Sequence, residues 1–408
     1  MTMNGERMQR VYPWLILIAC CLIQGGAPGL ITNTFGQFVT LISKDLSCSF
    51  GEVSTFRTIC HLVSCALFPF AGKVLYRFGA RLTLSVSGML FALSVWGTAH
   101  VTSLKGLYFM AVLQGIGGIQ LLMFCTPVIL DNWFAEKKGF AFGVSSACAG
   151  IVGTIMNPIF SSLNAQFGWR TVMSSAAIVT CVMILPMTTF VIRLRPLDIQ
   201  LKPYGKVGAI EEEVTKPRVK LTNRSQRLLV KTLIMVLAVI LMIAQGFSAH
   251  VVNYVDSLGT VAALGAYASS MVYIGSTISK LTLGMINDKW NVKVAATFGI
   301  VLPIIGFLLY LFPKSLTVLV AGLLFGVIMG TSMTVIPLVV RCFFSGTEYS
   351  DYFSIVNMSS MLANAGSNWA FGKIYDMTGE YTIGLTIVLF LLVISQVGFT
   401  LFTYKRNI

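Results

Sequence analysis

Stretches of twenty or more residues without a charged side chain recur from one end of this chain to the other. There are 33 uncharged residues between Arg10 and Lys44, and 31 between Lys138 and Arg170. A hydrocarbon core of ~30 Å needs about 20 apolar residues per helix, so such runs have the length of membrane spans. They are too long to be barrel strands of roughly ten residues. Composition agrees: of 408 residues, 11% are charged and 56% hydrophobic, whereas a soluble domain carries about 25% charged residues. Lipid must therefore be the solvent for most of the surface, which excludes a soluble enzyme.

Hydropathy and breaks predict twelve helices, at roughly 12–42, 50–72, 81–100, 104–133, 138–164, 169–193, 229–256, 261–287, 292–312, 316–344, 349–374 and 380–404. The first follows Arg7 and Arg10 with no small-residue cleavage site, so it reads as a retained span and not a signal peptide. The basic residues orient the spans. Of 29 Lys and Arg, 22 fall on the side that holds both termini and the 194–228 connector, five fall on the other, and Arg57 and Lys280 lie inside spans. Without the connector region the division is still 12 to 5. The expectation is cytoplasmic termini and a multi-pass protein of the plasma (cell inner) membrane. The net charge of +14 then reports topology, and no nucleic-acid partner is expected. The expected organisation is an N-terminal six-helix half at 1–193, a cytoplasmic connector at 194–228 and a C-terminal six-helix half at 229–408. Pro196, Pro203, Pro217 and the run Glu211-Glu212-Glu213 make the connector read as a mostly solvated tether. Of the nine cysteines only Cys48 falls in a loop, and no C-x-x-C pair occurs. The three histidines are scattered, so neither a metal site nor a cofactor is expected.

The halves repeat each other. Residues 72–81 read GKVLYRFGAR and 284–293 read GMINDKWNVK; weaker copies of this ten-residue frame stand at 372–381 (GKIYDMTGEY) and 161–170 (SSLNAQFGWR). Pro127 and Trp133-Phe134 correspond to Pro337 and Phe343-Phe344 at an offset of 210 residues, and Gln24-Gly25 to Gln245-Gly246. Repeated units in two six-span halves are secondary-transporter architecture, with substrate held near the midplane. No G-x-x-x-x-G-K-[ST] loop is present, so no ATP-driven engine is expected.

At these frames the chain resembles the major facilitator superfamily, whose signature loop is G-x-x-x-D-[RK]-x-G-[RK]-[RK]. Gly72, Arg77, Gly79 and Arg81 match the first copy, with Tyr76 in the acidic position. Gly284, Asp288, Lys289 and Lys293 match the second, with Asn291 in place of the second glycine. Asn tolerates a left-handed turn, so that exchange reads as mild. The segment from Trp133 and Phe134 through Lys137, Lys138, Gly139, Ala141 and Gly143 to Gly168-Trp169-Arg170 is similar to the monocarboxylate and oxalate:formate porters within that superfamily. The resemblance implies an all-α integral membrane fold of twelve transmembrane helices in two pseudo-symmetric halves.

Charge within hydrocarbon costs at least ~2.5–3.5 kcal/mol on insertion scales and needs a reason. All 15 acids lie at span ends or in loops. Lys280, roughly 10 Å from the connector-side end of span 8, has no acid in reach along its own helix, and an anionic substrate would neutralise it. The resemblance implies the same role, because span 8 of those porters carries a carboxylate-binding basic residue at this place. Snorkelling of the lysine stem is the alternative. Arg57, and one turn later His61, share a face of span 2. Arg57 could hold a carboxylate or pair with Asp45 or Glu52; His61 is the candidate proton carrier. Further candidates for the substrate are His250, Asn253 and Tyr254 in span 7, Asn364 in span 11 and Asn33 in span 1. Interhelical hydrogen bonding is their ordinary alternative. Gly322, Gly326 and Gly330 read as a close helix–helix contact in span 10, and Gly25-Gly26-Ala27-Pro28-Gly29 as a break in span 1 whose freed backbone could face a cavity.

The expected function is secondary or facilitated transport of a small organic anion, first a monocarboxylate, by alternating access in a functional monomer. A proton or a counter-anion would be the co-substrate. The alternatives are efflux of drugs or neutral solutes, and a membrane anion sensor that transports nothing.

Overall fold

The computed structural model describes residues 3–136, 138–205, 224–259, 264–344 and 346–404. The readings of Lys137, Lys405, Arg406 and residues 206–223 of the connector fall outside the described residues. Apart from one isolated backbone bridge between Phe134 and Tyr204, the described elements are helical. The chain forms two compact units, one of Met1–Cys48 with Ile59–Ala209 and one of Ser49–Thr58 with Ile210–Ile408.

The first unit contains α1 (Met3–Gln24), α2 (Gly36–Asp45), most of α3 (Phe50–His100), α4 (Leu104–Ile119), α5 (Cys125–Trp133), α6 (Lys138–Phe167) and α7 (Trp169–Pro186). The second contains α8 (Arg224–Gly246), α9 (Val251–Ser257), α10 (Gly265–Lys289), α11 (Val292–Leu311), α12 (Ser315–Gly330), α13 (Ile336–Phe343), α14 (Gly346–Thr378) and α15 (Thr382–Tyr404). Among the described residues, nine helical segments are long and apolar enough to cross a bilayer. One of them is α3, whose 51 residues would run roughly 75 Å as a single rod. Gly79 divides it, at φ 78° and ψ 158°, a conformation open essentially to glycine alone. The helices α10 (25 residues) and α14 (33 residues) also have spanning length but carry a larger share of polar and charged residues than the nine.

The repeat is visible in backbone geometry. Gly168 and Gly379 occupy the place of Gly79 in their frames and adopt φ 78° and 73°. The fourth frame departs from the expectation: Asn291 is extended, at φ −172° and ψ 172°, and its side chain accepts from the Val294 amide to cap α11. The exchange is tolerated because asparagine caps a helix N-terminus, so no left-handed turn is called for. Short π-helical segments, Gln120–Phe124 and Thr331–Val335, stand 211 residues apart. A proline ring clashes with the carbonyl four residues earlier. For Pro127 and Pro337 those residues are Met123 and Met333, inside the two π segments.

Both units close on aromatic cores. In the second, the buried Phe247 ring lies 5.3 Å from Phe371 and 5.5 Å from Tyr310. In the first, Trp133 and Phe134 are fully buried, with Tyr12 stacked on Trp133 at 5.2 Å and Trp14 edge-on to Phe134 at 5.9 Å. The connector begins here and does not begin as a tether. The Trp133 indole donates to the Arg193 carbonyl at 2.9 Å, and Asn132 to that of Leu194 at 3.1 Å. Tyr204 packs on Trp14 at 5.4 Å, and its amide donates to the Trp133 carbonyl at 2.8 Å. The W-F pair therefore fastens residues 193–204 to the first unit. Proline and charge content suggested solvent there, but Leu194, Pro196 and Leu201 are buried.

Candidate functional site

Lys280 lies in the second half of α10, nine residues before its end, or about 13 Å along the axis. It is half-buried. Among the described residues, no acid or other hydrogen-bond partner engages its ammonium group. Its backbone is positioned by small residues. A Cβ on Gly330 of α12 would meet the Lys280 amide nitrogen at 2.9 Å, one on Gly326 the Val272 carbonyl oxygen at 2.0 Å, and one on Gly322 the Ala268 carbonyl oxygen at 2.6 Å. Gly275 reciprocates from α10 against the Leu323 carbonyl oxygen, also at 2.0 Å. The two backbones touch along this seam, which fixes the height and rotation at which α10 presents Lys280. Tyr273, Ser276 and Lys280 have the spacing of one helix face, and the first two are buried. Neither was expected as a site residue, because a lone Ser or Tyr in an apolar run carries no local signal.

Residues 50–58, the first two and a half turns of α3, belong to the second unit. Asp376 accepts hydrogen bonds from the Phe50 and Gly51 amides at 3.0 and 2.8 Å, an acid at a helix N-terminus. The same segment carries Arg57, which therefore lies in the unit that also holds His250 and Tyr273. Neither acid considered for pairing with Arg57 is idle: Asp45 pairs with Arg170 at 2.7 Å, and Glu52 accepts from the Ser49 amide at 2.8 Å. Arg170 also donates to the Ala99 carbonyl and lies 4.6 Å over the Trp169 ring, so the G-W-R motif ties helix ends together.

His250 is buried, with Nε2 3.0 Å from the Asn368 carbonyl and Nδ1 3.3 Å from the Tyr381 hydroxyl. A carbonyl only accepts, so Nε2 carries a proton; in the neutral ring Nδ1 then accepts from Tyr381. Tyr254 donates its hydroxyl to the Tyr310 carbonyl. Asn364 donates to the Met242 carbonyl at 3.1 Å, and Asn368 to Asn364 Oδ1 at 3.1 Å. Much of the polarity of spans 7 and 11 therefore joins α14 to α8 and its extension. Asn253 is buried beside Tyr254 on α9. Asn33 and His61 lie in the first unit. Asn33 donates to the Ala149 carbonyl at 2.9 Å, and His61 is half-buried on α3. The break in span 1 is a π-helical segment, Gly25–Thr32; the Gly26 carbonyl accepts from Thr180 at 3.1 Å.

The signature loops have a shared mechanical role. Arg81, tenth in its frame, donates to the Phe190 carbonyl at 3.1 Å; Lys293, tenth in the matching frame, donates to the Thr403 carbonyl at 3.4 Å. Each satisfies a carbonyl near the end of the last span of its unit, where cations are favoured. Lys289 lies 5.5 Å over the Trp290 ring, and Arg77 5.6 Å over Phe78. Gly72 packs against Phe124, a Cβ on Gly284 would meet the Thr334 side chain at 3.9 Å, and Asp288 lies in the last turn of α10.

The sequence profile described as Major Facilitator Superfamily matches residues 20–367. Monocarboxylate transporter 12 of Homo sapiens is 23% identical, covering 94% of this chain and 79% of that protein. Monocarboxylate transporter 13 of Bos taurus is also 23% identical, covering 98% and 92%. Multidrug export protein EmrB of Haemophilus influenzae is 27% identical over 46% of this chain and 39% of its own length. A crystal structure of the nucleoside transporter NupG shares the fold, with a TM-score of 0.71 at 13% identity, covering 98% of this chain and all of that one.

Proposed function

We propose, from the premise that this chain belongs to the major facilitator superfamily, that this membrane transporter carries a small organic anion, first among the candidates a monocarboxylate. The observation that carries the reading is Lys280: a cation within a spanning-length helix, with no acid or other partner engaging its ammonium among the described residues. Leaving such a charge uncompensated is costly, and an incoming carboxylate offsets that cost. Tyr273 and Ser276 on the same face supply hydrogen-bond donors, and Arg57 is a second cation in the same unit. The similarity to monocarboxylate transporters over most of the chain supports the same substrate class.

In this reading, twelve spans form two halves that alternate access. Gly79 divides α3 into two spans, α10 and α14 supply two more, and the termini and connector face the cytoplasm of the plasma membrane. Counterflow of radiolabelled lactate, pyruvate, formate and oxalate in proteoliposomes tests it, with the monoanions exchanging and oxalate failing. The similarity to EmrB over 46% of the chain favours a second reading, drug export; exchange of a cationic dye in place of any acid would establish it.

A further inference from the structure

The first unit contains a cleft of about 630 Å³ lined by Tyr76, Arg81, Arg193, Arg195 and Asp198, within the roughly 300–1,000 Å³ usual for small-ligand sites. Its charge is unbalanced. Arg81 and Arg193 both donate to the Phe190 carbonyl, at 3.1 and 3.3 Å, which brings two guanidinium groups to one oxygen atom. Arg193 also donates to the Ile192 carbonyl at 2.9 Å. Arg195 lies 5.6 Å over the Tyr76 ring, the residue that stands where the family pattern has an acid. Asp198 offsets only one of the three charges and is already engaged: its carboxylate accepts from the Arg195 backbone amide at 2.9 Å. No ion pair joins it to any of the three arginines among the described residues. Each guanidinium carries five N–H donors in a rigid fork matched to phosphate, and most of these donors have no partner among the described residues. Beside the arginines, Phe78 and Leu82 are each 55% exposed, and Phe190 and Leu197 each 75%.

We infer that this cleft binds the phosphate of an anionic phospholipid, with the acyl chains lying on the exposed apolar residues. The three cations match a phosphate diester, and the apolar border gives lipid an advantage that free phosphate lacks. In the orientation proposed above the cleft faces the cytoplasmic leaflet, where anionic lipids attract basic residues. The bound headgroup bridges the loop between the second and third spans to the start of the connector, fastening that side of the first unit.

The test is native mass spectrometry of the full chain in detergent with added palmitoyl-oleoyl phosphatidylglycerol, the phosphatidylcholine of the same chains, or inorganic phosphate. The phosphatidylglycerol adduct should dominate. The combined variant Arg81→Gln, Arg193→Gln, Arg195→Gln should lose it by roughly fivefold per arginine removed, with phosphatidylcholine retention unchanged. Should that variant fail to fold, Arg195→Gln alone removes a side chain that makes no hydrogen bond among the described residues, and a roughly fivefold loss is expected. Equal phosphatidylglycerol retention by folded variant and parent overturns the inference, as does displacement of the lipid by millimolar inorganic phosphate. Because the readout is lipid retention, its failure leaves the anion-transport reading untouched.

Discussion

Replacing Gly326 by alanine tests the contact that sets the position of Lys280. The added Cβ would lie 2.0 Å from the Val272 carbonyl oxygen, 2.8 Å from its carbon and 3.0 Å from the Ser276 nitrogen. All three are backbone atoms of α10, so no rotamer change relieves the overlap. Ordinary contact begins near 3.4 Å, so α10 and α12 must part locally by about 1.4 Å. Overpacking of this kind costs about 1–3 kcal/mol or more, and separating the helices also forfeits dispersion contacts along the seam. Thermal unfolding of the purified variant in detergent should show a midpoint several degrees below the parent. The control is Gly366→Ala on α14, where a Cβ meets nothing within 4 Å among the described residues. It should be neutral or stabilising by up to about 1 kcal/mol, from helix propensity. Equal midpoints for the two variants would refute the backbone contact, and with it the account of how Lys280 is held.

Gly168→Ala should destabilise by about 1–3 kcal/mol, because its φ of 78° and ψ of 151° strain any side chain although space is open. Asn291→Gly should cost only a few tenths of a kcal/mol, whereas Asn291→Ala, which loses the cap on α11, should cost about 1 kcal/mol; urea or thermal unfolding separates them. Tyr310→Phe should be neutral or stabilising, since the hydroxyl is buried without a partner among the described residues while the carbonyl that receives Tyr254 is backbone and persists. His250→Ala should cost about 1–3 kcal/mol by stranding the Tyr381 hydroxyl, whereas the Asn368 carbonyl lies inside α14 and keeps its helical donor, measured as a lowered unfolding midpoint.

The spans and the repeat were legible because each is written in local pattern. Uncharged runs longer than a bilayer is thick have few other uses, and the frames carrying Gly79, Gly168 and Gly379 share a backbone conformation that only glycine takes readily. The glycine seam of α12 was legible for the same reason, as a four-residue period. Interactions between distant positions were not. Tyr204 meets Trp14 across 190 residues, and His250 meets Asn368 across 118. Nothing near the connector's prolines signals that Trp133 and Phe134 hold its first residues. Asparagine suits both a left-handed turn and an N-cap, and only the extended backbone of Asn291 decides for the cap. Asp376 was read as an acid at a span end; that it caps α3 depends on a contact across 326 residues.

Comparing Lys280→Gln with Lys280→Arg in lactate counterflow probes the binding role most directly. Glutamine keeps a polar side chain about one bond shorter but removes the charge, whereas arginine keeps the charge. The account predicts that the glutamine variant folds, with an unfolding midpoint at or above that of the parent, and exchanges no lactate, while the arginine variant retains part of the activity. Lactate exchange by the glutamine variant with unchanged affinity would contradict it.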